Sequence, residues 1–238
     1  MSLLTIAQAV FDEIQLEQQS TIAGNGNVAA RRLLRYANSV GQQIARDGNW
    51  RALRFERTFD ATAAELQANA LPADFERFVP GTFYNRTKKE YVVGPIGADE
   101  WQAIKAQGDY NSETRFIHRQ GEIRMSPVPT GGDDMAFEYM SSHWCQSAGG
   151  AGQTAFAADT DTARIDEELL IMRIASVWLA SEGLPSGAQE DRYRQRMRDL
   201  SSQDQARRRV MPAGDIFGGT RHWNGQPPSS GARNNLWI

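Results

Sequence analysis

From Leu71 to Arg86 the chain reads LPADFERFVPGTFYNR, and the hydrophobic period changes across it. Leu71-Pro72 closes what precedes, since proline lacks a backbone donor and holds its predecessor out of the α region. Phe75, Phe78, Val79, Phe83 and Tyr84, interrupted by Pro80 and Gly81, spell short extended pieces whose aromatic faces need a core. Apolar spacing is helical before this stretch, mostly strand-like for roughly sixty residues after it, and helical again beyond. The sequence therefore predicts an α+β chain. A helical bundle is built from the N- and C-terminal helices (1–50 and 160–210), with a β-rich insertion (51–159) and an extended C-terminal tail (211–238).

Thr5 with Gln8 forms a capping-box pattern, and Ile6, Val10 and Ile14 recur at helical spacing, which predicts a first helix over Thr5–Gln18. Asn27 caps a second whose stripe is Ala30, Leu33, Leu34, Ala37, Val40 and Ile44, with Gly48 as its stop and Trp50 anchoring its end. Leu53, Phe55 and Phe59 alternate as in a half-buried strand, with Arg54 and Glu56 on the wet face. ATAAELQANA reads as a turn and short strand or a helical stub, YVVGP as a short strand, and Asp99–Ile104 as a helix of one or two turns. Two alternating runs flank Gln120-Gly121 as a hairpin, and Phe137 and Tyr139, with Trp144, belong to another strand. Gly149, Gly150 and Gly152 mark QSAGGAGQTAFAADTDT as a linker. Asp166, Glu167 and Glu168 then open a helix stopped by Gly183 and Pro185.

Ser186 and Gln189 open the last helix, expected to run to about Arg209. It is nearly all polar. Tyr193, Met197 and Leu200 make a narrow apolar seam among Arg192, Arg194, Arg196, Arg198, Arg207, Arg208 and Arg209, so its length calls for a partner or a large wet face. Beyond Met211 there is no period, only Ile216, Phe217, Trp223, Leu236, Trp237 and Ile238 among glycines and prolines. Such anchors are expected where a tail orders on another chain. From Ser186 onward nine arginines face five acids, although the whole chain carries -3, and this asymmetry suggests charge-complementary association.

No chemistry is spelled out. His118, His143 and His222 lie apart, and no zinc, nucleotide or hydrolase motif occurs, so no cofactor or metal is expected. Cys145 beside His143 reads as a strand-end thiol before it reads as a nucleophile, and a lone cysteine fits a reducing compartment. Asp159 and Asp161 lack calcium-loop spacing and suit turn bonding. A carboxylate pair at glycosidase separation stays open, as does a DNA contact at Arg207–Arg209. No apolar run approaches the ~18 residues of a membrane span, and the N-terminus lacks the basic region of a signal peptide.

The order RRLLRYANSVGQQIARDGNW, LPADFERFVPGTFYNR, VGPIGADEW, RQGEIRMSPVP, FEYMSSHW and DTDTARIDEELLIMRIASVWLASEG resembles the head-to-tail adaptors of short-tailed bacteriophages, the tail tubular protein A-like group, over about Leu4–Arg209. The resemblance implies a non-enzymatic virion protein in the neck, present in the host cytoplasm during assembly. It implies a homo-oligomeric ring, a dodecamer, joining the portal to the tail nozzle, with genomic DNA passing through without sequence-specific binding. Portal docking would fall to the last helix and tail, with Tyr193, Met197, Leu200, Arg207, Arg208, Arg209, Phe217, Trp223, Leu236, Trp237 and Ile238 as candidate contacts. The alternative is a tail-associated peptidoglycan hydrolase working through a carboxylate pair.

Overall fold

The structure, a computed structural model, describes residues 1–107 and 113–206. Five helices and eleven short strands alternate along it as an α+β fold. Helix α1 (Leu3–Glu13) is capped by Ser2, whose hydroxyl accepts from the Thr5 N–H at 3.3 Å. The expected Thr5–Gln18 helix is thus shifted toward the N-terminus. The Ser2 side chain reaches the first-turn donors, and Gln15, at φ 57°, carries the chain out of the helix. Helix α2 (Val28–Asp47) is capped by Asn27, which accepts from the Ala29 N–H at 2.8 Å, and ends at Gly48, both as expected. Trp50 anchors that end by donating its indole N–H to the Ile44 carbonyl at 2.6 Å.

After a single 3-10 turn (Arg51–Leu53), β1 (Arg54–Asp60) pairs along its whole length with β8 (Asp134–Ser141). The expected half-burial of β1 is only partly met: Phe55 is 38% exposed, because β1 is the sheet's edge. On its other side β8 takes β3 (Phe75–Phe78) and then β4 (Tyr84–Asn85), which β5 (Glu90–Tyr91) extends. A second sheet, β2 (Leu66–Gln67), β7 (Glu122–Ser126) and β6 (Arg115–Arg119), contributes to the same core. Its hairpin turns at Gln120 and Gly121, both at positive φ as a two-residue turn of this hand requires. Phe78, Phe83, Phe116 and Phe137 meet within the sheet core with ring centroids 4.8–5.2 Å apart. The helix expected at Asp99–Ile104 is longer, α3 (Ala98–Gln107).

Helix α4 (Glu167–Ser181) is central to the other core, packing against α1, α2 and α5 (Gly187–Ala206). Asp166 caps α4 and does not lie within its first turn, accepting from the Leu169 N–H at 2.9 Å. Gly183, at φ 69°, ends the helix-to-helix turn as expected. The presumed linker is a correction. Residues 145–163 form a small sheet, β9 (Cys145–Gln146) between β10 (Gly152–Gln153) and β11 (Thr162–Ala163). Two carboxylates fix it. Asp161 accepts from the N–H groups of Ala157 and Ala158 at 2.7 and 2.8 Å, while its carbonyl accepts from Leu3 N–H at 2.7 Å. Asp159 accepts from Ile22 and Ala23 N–H at 3.0 and 2.7 Å. The glycines serve tight turns in a tied-down segment. Trp144, expected in a strand, is instead a fully buried loop residue lying against Gly41 of α2.

The two cores meet at the LPADFER stretch. Asp74 accepts from Tyr139 Oη at 3.0 Å and from Ser141 Oγ at 2.6 Å, locking β3 to β8. Arg77, from β3, donates to the Arg46 carbonyl at 2.7 Å, to the Gly48 carbonyl and to Asn49 Oδ1 at 3.1 Å, so its guanidinium occupies the negative end of α2. Val79 and Met140 cross into the helical core. This is the seam between helices and sheets.

Candidate functional site

Helix α5 packs on its own chain and keeps a wet face, contrary to the expectation that other subunits stabilise it. Tyr193 is buried, and Met197 and Leu200 are half-buried against the helical core. The Arg173 guanidinium lies 5.2 Å from the Tyr193 ring centroid, and burial pushes the Tyr193 hydroxyl up from its ordinary value. The arginines are largely paired inside the chain. Arg192 meets Glu13 of α1 at 2.7 Å, Arg196 meets Asp166 at 2.9 Å and Glu168 at 3.3 Å, and Glu190 receives Arg173 and Arg194. A narrow seam thus carries a long helix because ion pairs line it; a hydrogen bond from Arg196 to Asp166 also raises that guanidinium's already high pKa. The face turned to solvent carries Asp191, Arg194, Gln195 and Arg198. Arg207, Arg208, Arg209, Phe217, Trp223, Leu236, Trp237 and Ile238 lie outside the described residues.

A second surface is an open groove of about 790 Å³ on the outer face of the larger sheet, lined by Glu56, Thr82, Tyr84, Arg86, Lys89 and Glu138 among others. Glu56 and Glu138 are direct register partners across β1 and β8, so the fold does bring two carboxylates together. Arg86 pairs with Glu56, and Arg54 approaches Glu138 at 3.8 Å. The two carboxylates are 54% and 42% exposed. A glycosidase acid works from a site that shields it from water, whereas these side chains form a solvated ladder of alternating charge. Tyr84, 42% exposed, supplies the groove's apolar wall. Polar rim and aromatic wall suit contact with a polypeptide.

The remaining candidates have structural duties. Cys145 is buried, its thiol donates to the Gln153 carbonyl at 3.3 Å, and burial, helped by Asp161, pushes it up to about 12; it is a thiol at neutral pH and no thiolate nucleophile. His118 meets Phe75 and Phe78 edge to face, with ring centroids 5.4 and 5.7 Å apart. Asp159 and Asp161 bond backbone N–H groups, as turn bonding predicts. Among the described residues no three His, Cys, Asp or Glu side chains converge as a metal site would need, and no helix is long and apolar enough to cross a membrane. Asp74 and Arg77 had no role assigned from sequence, although the LPADFER stretch that carries them stands out there.

Among curated proteins nothing matches the chain. The model of the SU10 adaptor protein family matches residues 1–215, which takes in both cores, the seam and all of α5. With a fold of interlocked helices and sheets, surfaces built of paired charges and a match over nearly its whole length, the chain belongs to the SU10 adaptor protein family, in keeping with a phage head-to-tail adaptor.

Proposed function

We propose that the chain is the subunit of a ring that joins the portal to the tail nozzle of a phage virion and surrounds the path of the genome. The family membership over residues 1–215 carries this reading, since it implies a structural role beside portal and tail proteins at the virion neck. The folded surface agrees with it: the groove and the solvent face of α5 offer charge and aromatic contact area. A ring subunit needs two lateral contacts and one on each axial side. The solvent stripe of α5 together with residues 207–238 forms the portal contact in this reading, with a dodecamer as the assembled state. DNA passes through without sequence-specific contact.

The test is co-sedimentation with purified portal, followed by electron microscopy of the mixture. The full chain binds and forms rings on the portal, and deletion of residues 211–238 leaves a folded chain that no longer binds. Unchanged binding after the deletion refutes the tail's part, and absence of any portal binding by the full chain refutes the connector role. Cell-wall zymography of the purified chain shows no clearing; a cleared band would favour the hydrolase reading and direct attention to Glu56 and Glu138.

A further inference from the structure

Strand β1 is the open edge of the five-stranded sheet, and its free backbone groups can be identified from β8. Glu138 accepts from Val79 N–H at 3.0 Å and donates its N–H to Thr82 Oγ1 at 3.1 Å; Asp134 accepts from Arg86 N–H at 2.8 Å and donates to Thr87 Oγ1 at 2.9 Å. Both therefore turn away from β1, and their register partners Glu56 and Asp60 turn away from β8. By the two-residue period Thr58 does too. Among the described residues nothing bonds the N–H or C=O of Glu56, Thr58 or Asp60. The edge is regular, seven residues without a bulge, proline or lysine; its inward-pointing charge, Arg57, is bound within the chain by the carbonyls of Ala70 and Asn69.

We propose that this edge pairs with the same edge of a second copy, antiparallel about a two-fold axis at Arg57. The charges select the register. With the axis at Arg57, Arg54 stands opposite the partner's Asp60 and Glu56 opposite the partner's Thr58 on the outer face. On the inner face Phe55 stands opposite the partner's Phe59. A slip of two residues one way sets Glu56 against the partner's Asp60, and the other way against the partner's Glu56; each adds an acidic pair and loses both symmetry-related Arg54–Asp60 pairs, which in the proposed register outnumber the single Arg57–Arg57 contact. A slip of one turns the faces over. Two observations independent of the edge agree. Arg54 has only a 3.8 Å approach to Glu138 and a side chain 33% exposed, while Asp60 is exposed and makes no ion pair among the described residues. Phe55, 38% exposed, gains a cross-strand aromatic neighbour. Arg57 meets its own copy at the axis, with its guanidinium already occupied by the carbonyls of Ala70 and Asn69 at 3.2 and 3.0 Å.

Such a contact is two-fold and self-closing, unlike the head-to-tail contact a ring uses, so it describes the free chain and does not rest on the connector reading. Light scattering on the eluting full chain tests it. The expected mass is twice the 26.5 kDa of one chain. Arg54→Asp and Asp60→Arg each return it to one chain, and the double variant Arg54→Asp/Asp60→Arg restores two, because the charges are exchanged across the axis. Thr58→Pro, which removes an N–H that β8 does not use, also gives one chain with an unchanged circular dichroism spectrum. A wild-type monomer at every concentration, a dimer indifferent to the single variants, or a double variant that stays monomeric overturns the proposal.

Discussion

Gly41→Ala is expected to destabilise this protein, although alanine in place of a mid-helix glycine ordinarily stabilises by ~1 kcal/mol. A methyl group on Gly41 would lie 2.5 Å from Cζ2 and Cζ3 of Trp144. Carbon contacts are favourable at about 3.5–4.0 Å, so ring or helix must give by roughly 1 Å. The ring has little room to do so. Trp144 is fully buried, its indole N–H donates to the Thr154 carbonyl at 2.7 Å, and its edge meets Phe156 with centroids 4.7 Å apart. Overpacking costs about 1–3 kcal/mol and a strained indole hydrogen bond about 1 more, against the ~1 gained from helix propensity. The net is about 2 kcal/mol, or a melting temperature lower by roughly 4–8 °C in a chain of this size. Thermal melts followed by circular dichroism measure it. Repeating the substitution in a Trp144→Phe background removes the clash, so the cost there falls by more than about 0.5 kcal/mol, the scale of a coupled pair. A Gly41→Ala chain as stable as wild type, or one whose cost is the same in both backgrounds, refutes the reasoning.

Three further outcomes follow from the same contacts. Arg77→Met takes away donors from the Arg46 and Gly48 carbonyls and from Asn49 Oδ1 at the end of α2; urea titration should show a loss of ~2–3 kcal/mol, and proteases should cut first near the seam. Asp159→Ala leaves the Ile22 and Ala23 N–H groups short of their acceptor, costing ~2 kcal/mol in the same assay, whereas the wild-type Gly149–Gly152 segment resists limited proteolysis as a linker would not. At high pH, burial holds Cys145 (ordinarily 9.0) and Tyr139 (ordinarily 10.0) each up at about 12; since the unfolded chain sheds these protons first, stability is full below about pH 9 and falls as pH rises toward 12, and a melting temperature flat over that window contradicts it.

Features that depend on near neighbours in sequence were legible. Asn27 at the start of α2, Gln120-Gly121 in the hairpin and Gly183 after α4 all act as their types suggest, because a cap or a tight turn is decided within a few residues. Features decided by distant partners were not. The glycines at 149, 150 and 152 look like slack, yet Asp159 and Asp161 bind that region to residues 3 and 22 by bonds that no local pattern records. Phe55 alternates like a buried residue, but nothing in its neighbourhood states that β1 lacks a second sheet partner. Helix α5 reads as needing a neighbour, because the acids that meet its arginines, Glu13 and Asp166, lie far back along the chain. The paired carboxylates of the groove, Glu56 and Glu138, are likewise separated in sequence and joined only by strand register.

The bonds from Leu3 and Leu4 N–H to the carbonyls of Asp161 and Asp159 set an order of events during synthesis. Residues 54–141 contain every strand of the two larger sheets and can pair as soon as they leave the ribosome. The first helix must wait, its start unanchored, until a segment made some 160 residues later arrives, and only when α4 and α5 follow does the older half of the chain acquire its interior. A chain truncated after residue 141 would therefore show native protection in its sheets and none in α1.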